Sequence, residues 1–342
     1  MRVVVTGGHG FLGGELTRRL LARGTLRGEP VDQIVLADLR GPGPGSSDEG
    51  NEAGRDDRVR TIAGDLAASL TTIFAEPVDV VFHLAAAVSS ACESDFDLGM
   101  RTNLEASAAL LEAARAQTAA GGQVATVVFS SSVAVYGNDP AWALPSVVSE
   151  ATLPMPQSSY GAQKFAIETL LADYTRKGFV DGRSVRLMTV AVRPGVPNAA
   201  ASSFVSGMIR EPLAGIDTTC PVPRALQVAI ASPRRTVDGL LTIAEAPRGS
   251  GVGELSGRLP VNLPALTVSV GEMLDALAEV AGQGVAARVR FEPDPDIERI
   301  VASWPAHFDH SRARSLALEP DPDIHSVIRQ YMTDHPGALA QE

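Results

Sequence analysis

Residues 1–13 read MRVVVTGGHGFLG, a run of β-branched residues from Arg2 to Thr6 that gives way at once to glycines at 7, 8, 10 and 13. The Val-rich run suits a buried strand. Removing side chains at the turn that follows lets something approach the backbone closely. The helix that begins near Phe11 and Leu12 offers unpaired N–H groups and the positive end of its dipole, for which a pyrophosphate is a fitting partner. Gly7, Gly10 and Gly13 are spaced G-x-x-G-x-x-G, one residue away from the G-x-G-x-x-G dinucleotide fingerprint. Glycines also serve ordinary tight turns. Their place between a strand and a helix is what argues for a dinucleotide.

Outward from this motif, short β runs alternate with helical stretches up to about Phe129. VVVT, QIVLAD, RVRTIAGD, VDVVFHLAA and ATVVFSSS read as strands, with helices such as Gly14 to Arg23 and Asn103 to Gln117 between them. This alternation predicts an α/β fold, a doubly wound parallel sheet of Rossmann type with helices on both faces. GPGPGSSDEGNEAGRDD, Gly41 to Asp57, interrupts the pattern and reads as a polar surface loop. A helix from about Tyr160 to Arg176 and a strand SVRLMTVAVRPG follow. Beyond Gly195 the prolines multiply and the elements shorten, although ALTVSVGEMLDALAEVAG is a clear strand and helix and DIHSVIRQYM a short amphipathic helix. The expected division is a cofactor-binding domain over 1–195, with a strand and helix returning near 225–247, and a smaller substrate-binding lobe over 196–342.

The 342 residues carry 29 basic and 40 acidic side chains, a net charge of −11, and are 45% hydrophobic. Such a balance offers no electrostatic footprint for nucleic acid or anionic lipid. Two cysteines, Cys92 and Cys220, and no Cys/His cluster point to neither a disulfide scaffold nor a bound metal. The chain opens directly on a strand, and no stretch approaches the ~20 apolar residues of a membrane span, so a cytoplasmic location is expected.

Three further features carry chemistry. Asp38 ends the second strand, 25 residues beyond Gly13. A carboxylate there would accept hydrogen bonds from the adenosine ribose and repel a 2′-phosphate, which favours NAD, although Arg40 nearby could receive such a phosphate. As a bland alternative, an Asp at a strand end is a common turn residue. In YGAQK, Tyr160 and Lys164 stand at i and i+4 on one helix face. A phenol is too weak a base at neutral pH unless a neighbouring ammonium stabilises its phenolate. Lys164 can supply that charge. Ser130, Ser131 and Ser132 close a strand at the edge where ligands of open α/β sheets bind.

Together these residues resemble the extended short-chain dehydrogenase/reductase (NAD-dependent epimerase/dehydratase) family, whose pattern is TGGxGFxG, an acidic residue after the second strand, a Ser-rich strand end and Y-x-x-x-K. The resemblance implies that Ser132, Tyr160 and Lys164 are catalytic: Ser132 orients the substrate oxygen, Tyr160 is the acid/base, and Lys164 lowers the tyrosine pKa and binds the cofactor ribose. It implies an NAD site built from Gly7, Gly10, Phe11, Leu12, Gly13 and Asp38. Asp65 and Leu66 of GDL would lie at the adenine, Leu84, Ala85 and Ala86 of HLAA at the pyrophosphate and ribose, with Asn103, Ser130 and Val196 completing the set. His83 reads as structural, and His9 is given no chemistry.

A narrower likeness, carried by VRPGVPNAAASSFVSGMIREPLAG, ASPRRTVDGL and SWPAHFDHSRARSLAL, is to members that oxidise a four-carbon sugar acid. It implies oxidation of the C2 hydroxyl of a small aldonic acid. The competing expectations are a nucleotide-sugar epimerase or dehydratase, from which SPRRTVDG departs, and a catalytically silent NAD-binding sensor. Substrate contacts are expected from Ser132, Tyr160, Asn198, Ser203 and Arg234, the last able to offer a carboxylate both a guanidinium and a helix N-terminus. The competing reading of Arg234 is a solvated surface charge or a partner in an ion pair. A homodimer is expected through the helices at Asn103 to Gln117 and Tyr160 to Arg176, with Leu110, Leu111, Leu170 and Leu171 as candidate contacts.

Overall fold

A computed structural model describes residues 1–41, 55–139, 141–196 and 200–340. Most of the polar segment at 41–57, and Asn198, lie outside the described residues. Seven strands form one parallel sheet in the order Val261–Asn262, Asp181–Leu187, Thr126–Ser132, Val80–His83, Arg2–Thr6, Gln33–Asp38, Val59–Ala63. The five strands read from the sequence are all in it. Numbered along the chain, the order is 3-2-1-4-5-6-7. It reverses between Arg2–Thr6 and Val80–His83, the switch point where open α/β sheets bind ligands.

Both faces of the sheet are covered, which explains why its strands are near-continuous apolar runs rather than alternating ones. The helices Phe11–Arg23 and Pro233–Glu245 pack Leu16, Leu20, Val237 and Leu240 against one face. On the other lie Leu66–Ile73, Ala106–Ala119 and Ser159–Arg176, with Leu70, Leu110, Ile167 and Leu171 buried beneath them. Thr6 pairs with both Ala37 and His83, so the three strands around the switch point end level with one another.

Two expected elements are broken. The run SVRLMTVAVRPG is two strands, Asp181–Leu187 in the large sheet and Thr189–Val190 in a second sheet beside Gln227–Ala231 and Leu266–Ser269. Leu187 is opposite Ser132, the last residue of its neighbour before a 3₁₀ turn at Val133–Val135. Beyond that point no strand remains to satisfy the backbone, and the chain finds a new partner in Ile230 and Ala231. The helix expected from Asn103 opens as a π turn, Met100–Glu105, before Ala106–Ala119 continues it. The wider turn changes which residues face inward, so a regular helical period misplaces them.

The smaller lobe packs the helices Ser203–Leu213, Val270–Ala281 and Ile324–Asp334 around Val205, Met208, Leu277 and Ile328. Ser269 begins the second of these with a capping box, its hydroxyl taking the Glu272 N–H while the Glu272 carboxylate takes the Ser269 N–H. The chain does not stay in this lobe: Pro233–Glu245 and Val261–Asn262 return to the large sheet. Among the described residues no helix is long and apolar enough to cross a membrane, and no group of His, Cys, Asp and Glu could hold a metal ion.

Candidate active site

The glycine loop sits at the switch point and is packed too tightly for side chains. Gly7 adopts φ +69°, and a Cβ at Gly13 would lie 2.2 Å from the Gly7 carbonyl oxygen, a backbone atom that has nowhere to go. Behind the loop, Thr6 Oγ1 accepts the N–H groups of Leu84 and Ala85 at 3.1 Å each, which draws the HLAA wall against it. Asp38 faces the loop, its carboxylate taking the His9 N–H at 3.0 Å and the Arg40 N–H at 3.3 Å. Two backbone donors thus hold it at the strand end. His9 itself reaches Thr61 with Nε2 at 3.1 Å.

A cleft of about 720 Å³ runs from this loop across the ends of the strands to the smaller lobe. Gly7, Gly10, Phe11, Leu12, Gly13, Asp38, Asp65, Leu66, Leu84, Ala85, Ala86 and Ser130 all line it, together with Ser132, Tyr160 and Lys164. The small glycine cradle, the helix start at Phe11, the Asp38 carboxylate and the apolar walls fit an adenine dinucleotide.

Tyr160 and Lys164 project from the first two turns of Ser159–Arg176, whose N-cap Ser158 accepts the Gly161 N–H at 3.1 Å. Gly161 has to be glycine because a Cβ would meet the Ala134 carbonyl oxygen at 2.0 Å. That contact seats the helix directly on the turn after Ser132. Lys164 is fully buried; its ammonium donates to the Ser130 carbonyl at 2.8 Å and lies 5.7 Å from the centre of the Tyr160 ring. Burial pushes the Tyr160 phenol up to about 12, with the Ser132 hydroxyl pulling it partly back. Burial likewise pushes Lys164 down to about 7, against the opposing fields of Cys92 and Glu168. Burial thus disfavours the charged form of each of the pair. His83, between Thr6 Oγ1 at 2.7 Å and Ser107 Oγ at 2.8 Å, is pushed down to about 3 by burial and by Lys164. It is a neutral strut between the strand and the central helix.

Four of the expected site residues lie elsewhere. Asn103 is buried behind the wall, exchanging hydrogen bonds with the Ala87 N–H (2.8 Å) and carbonyl (3.1 Å) and donating to Gln163 at 2.9 Å. It shapes the cleft without facing it. Val196 is 83% exposed and outside the cleft, because the chain turns away at Gly195, φ +79°. Ser203 is rotated off the cleft, while Ser202 and Ser206, one turn apart on the neighbouring face, line it. Arg234 is half exposed and pairs with Asp334 at 3.4 Å. Its helix N-terminus is already capped by Ser232 Oγ at 3.2 Å from the Arg235 N–H and packs against the large sheet.

In place of Arg234 the cleft contains Arg193. Its backbone is fixed from both sides, the N–H by Ser206 Oγ at 3.0 Å and the carbonyl by the Arg210 guanidinium at 2.7 Å. Burial, then Arg210, lowers its pKa. Trp304 and Thr189 line the cleft beside Ser132 and Arg193. The one signal for Arg193 in the sequence was its place in VRPG, just after a strand.

Residues 3–226 match the NAD dependent epimerase/dehydratase family. The chain is 48% identical over 342 residues to a D-erythronate dehydrogenase of Cupriavidus necator, covering 98% of both chains, and 39% identical over 334 residues to one of Haemophilus influenzae, covering 97% of this chain and 99% of that one. The solved structure of a nucleoside-diphosphate-sugar epimerase from Agrobacterium tumefaciens superposes with a TM-score of 0.88 at 37% identity, over 100% of this chain and 96% of that one. Glycine cradle, Asp38 carboxylate at the strand end and buried Tyr–Lys pair agree with these likenesses: the chain belongs to the NAD dependent epimerase/dehydratase family, and NAD is its cofactor.

Proposed function

We propose that the protein oxidises the C2 hydroxyl of D-erythronate to 2-dehydro-D-erythronate. The observation that carries this reading is the cleft itself, whose lining includes Ser132, Tyr160 and Lys164 together with Arg193. The two D-erythronate dehydrogenases, similar over nearly their whole length, support the substrate; a nucleotide-sugar epimerase is not favoured.

Ser132 orients the C2 hydroxyl and Tyr160 takes its proton. NAD, which the glycine loop, the helix start at Phe11 and Asp38 would hold, would supply the hydride acceptor for C2. Lys164, anchored on the Ser130 carbonyl, holds a positive charge beside the Tyr160 phenolate. Arg193 and the hydroxyls of Ser202 and Ser206 receive the substrate carboxylate, which needs fixed donors once it leaves water. Asp38 binds the adenosine ribose, and 1–195 with the returning 225–247 serves the cofactor while the remainder shapes the substrate end.

NADH formation across a panel of aldonic acids and nucleotide sugars tests the assignment. D-erythronate should be the best substrate. Turnover of a UDP-sugar with no aldonate activity would overturn it.

Two copies of the chain are proposed to pair through Ala106–Ala119 and Ser159–Arg176. Leu110, Leu111 and Leu171 are consumed by the subunit's own core, so the contact would rest on Leu170, 37% exposed, and on the nearby Phe96, 58% exposed. Sedimentation as a monomer at micromolar concentration would refute the pairing.

A further inference from the structure

Tyr160, Lys164 and Glu168 follow one another at four-residue spacing on one helix face. Glu168 lies in the interior, where its carboxylate takes two hydrogen bonds from Arg186, Nε at 2.8 Å and Nη2 at 2.6 Å. Both side chains are almost wholly buried, at 4% and 2% exposure. The third arm of the guanidinium donates to the Tyr136 hydroxyl at 2.5 Å, and its Cζ lies 4.7 Å from the centre of that ring. Arg186 belongs to the strand paired with Thr126–Ser132 and is opposite Ser131; Tyr136 ends the turn that follows Ser132. One ion pair therefore joins the helix that carries Tyr160 and Lys164 to both sides of the segment that carries Ser132.

Stability alone is a poor reason for such a pair, since well-packed apolar residues commonly do as well once the desolvation of two charges is counted. Its surroundings supply a better one. The groups facing Lys164 are Tyr160 and Glu168 on its own helix, Cys92 from Ser89–Ser94, His83 from Val80–His83 and the Ser130 carbonyl, with Arg186 behind Glu168. His83 is neutral and Cys92 is a buried thiol held in its protonated form, so Glu168 is the one carboxylate in that set. Arg186 offsets its charge.

We propose that Glu168 and Arg186 are positioning residues for the proton-transfer pair, setting the register of the Tyr160 helix against the Ser132 strand and balancing the charge around Lys164. The proposal rests on the roles given above to Tyr160 and Lys164. Removing either charge unbalances the site in opposite senses. With Glu168→Gln the guanidinium loses its hydrogen-bonded carboxylate and keeps the field of Glu150, and the net positive change lowers both macroscopic pKa values of the Tyr160–Lys164 pair, whichever group gives up the proton; with Arg186→Met the carboxylate left without its guanidinium raises them.

The test is the pH profile of kcat for D-erythronate oxidation at saturating NAD. The ascending limb should move down by about half a pH unit or more in Glu168→Gln, move up in Arg186→Met, and return close to the wild-type position in the double variant, a pattern that opposed charge shifts produce. Glu168→Asp, which keeps the charge but withdraws it, should lower kcat and leave the limb in place. A purely structural role would reduce activity without opposed shifts. Limbs that stay put in both single variants, or move the same way, overturn the proposal. Should Arg186→Met not fold, the Gln and Asp variants decide it: any pattern other than a lowered limb in the first and an unmoved one in the second refutes it. Absence of D-erythronate turnover in the wild type would instead refute the substrate reading.

Discussion

Arg193→Met separates substrate binding from everything else the cleft does. Methionine keeps most of the length and apolar stem of arginine, while the backbone at 193 stays held by Ser206 and Arg210. What disappears is the guanidinium. Hydrogen bonds to a charged partner are worth about 1.5–3 kcal/mol, and about 1.4 kcal/mol is a factor of ten. kcat/KM for D-erythronate should therefore fall about ten- to hundredfold, carried mainly by KM, because the carboxylate is held alike in ground and transition states. Burial of Arg193 weakens solvent screening and points toward the larger figure. NAD affinity, set at the glycine loop and Asp38, should stay within about twofold, a change below the resolution of simple additivity arguments. Initial rates of NADH formation give the first quantity and calorimetric titration with NAD the second. The neutral polyol erythritol should be a poor substrate for the wild type and no worse for the variant. A KM that moves less than about threefold, less than one lost charge-assisted bond predicts, would show that the carboxylate is held elsewhere.

Tyr160→Phe should preserve folding and NAD affinity while reducing turnover by about two to four orders of magnitude, the range for losing a general base; turnover near normal would take Tyr160 out of the mechanism. Asp38→Ala should weaken NAD and narrow its advantage over NADP, measured as a ratio of dissociation constants; an unchanged ratio would leave the carboxylate as a turn residue fixed by His9 and Arg40. Burial, then Lys164, pushes His83 down from 6.5 to about 3 in the folded chain, so the unfolded chain binds more protons between those values and stability should be lost as pH falls from 6.5 toward 3. His83→Gln should flatten the dependence of the urea midpoint on pH across that window; an equally steep dependence in the variant would assign the acid sensitivity to other groups.

The glycine loop and the Tyr160–Lys164 pair are legible in the sequence because their residues are local. A strand, a glycine turn and a helix start are contiguous, and Tyr160 and Lys164 are one helical turn apart. Their positions follow from periodicity that tertiary packing did not alter. The substrate end is assembled from distant pieces, and there local reasoning fails for identifiable causes. Arg234 has the right chemistry at a helix start, yet that helix packs on the large sheet, and Ser232 already takes the Arg235 N–H there while the Arg234 side chain pairs with Asp334. Ser203 was one residue off a helix face whose phase depends on where the helix begins. Arg193 was within a quoted motif, but only the break at Met188, which sends the chain from one sheet into the other, brings it to the cleft. On the cofactor side the family resemblance implied contacts from Asn103 and Val196, but Asn103 is buried behind the wall on a π turn and Val196 is outside the cleft.

The handover at Met188 also limits how this architecture can diversify. Asp181–Leu187 and Thr189–Val190 are consecutive stretches of one chain, separated by a single buried residue, yet each is a structural member of a different sheet. The smaller lobe is therefore not a cassette: exchanging it with that of a relative would cut through paired strands on both sides, and the return of Pro233–Glu245 and Val261–Asn262 would sever the large sheet's own cover and edge. Change at the smaller-lobe end of the cleft has to be made in place, by exchange of lining side chains such as Arg193, Ser202, Ser206 and Trp304, rather than by recombination of modules.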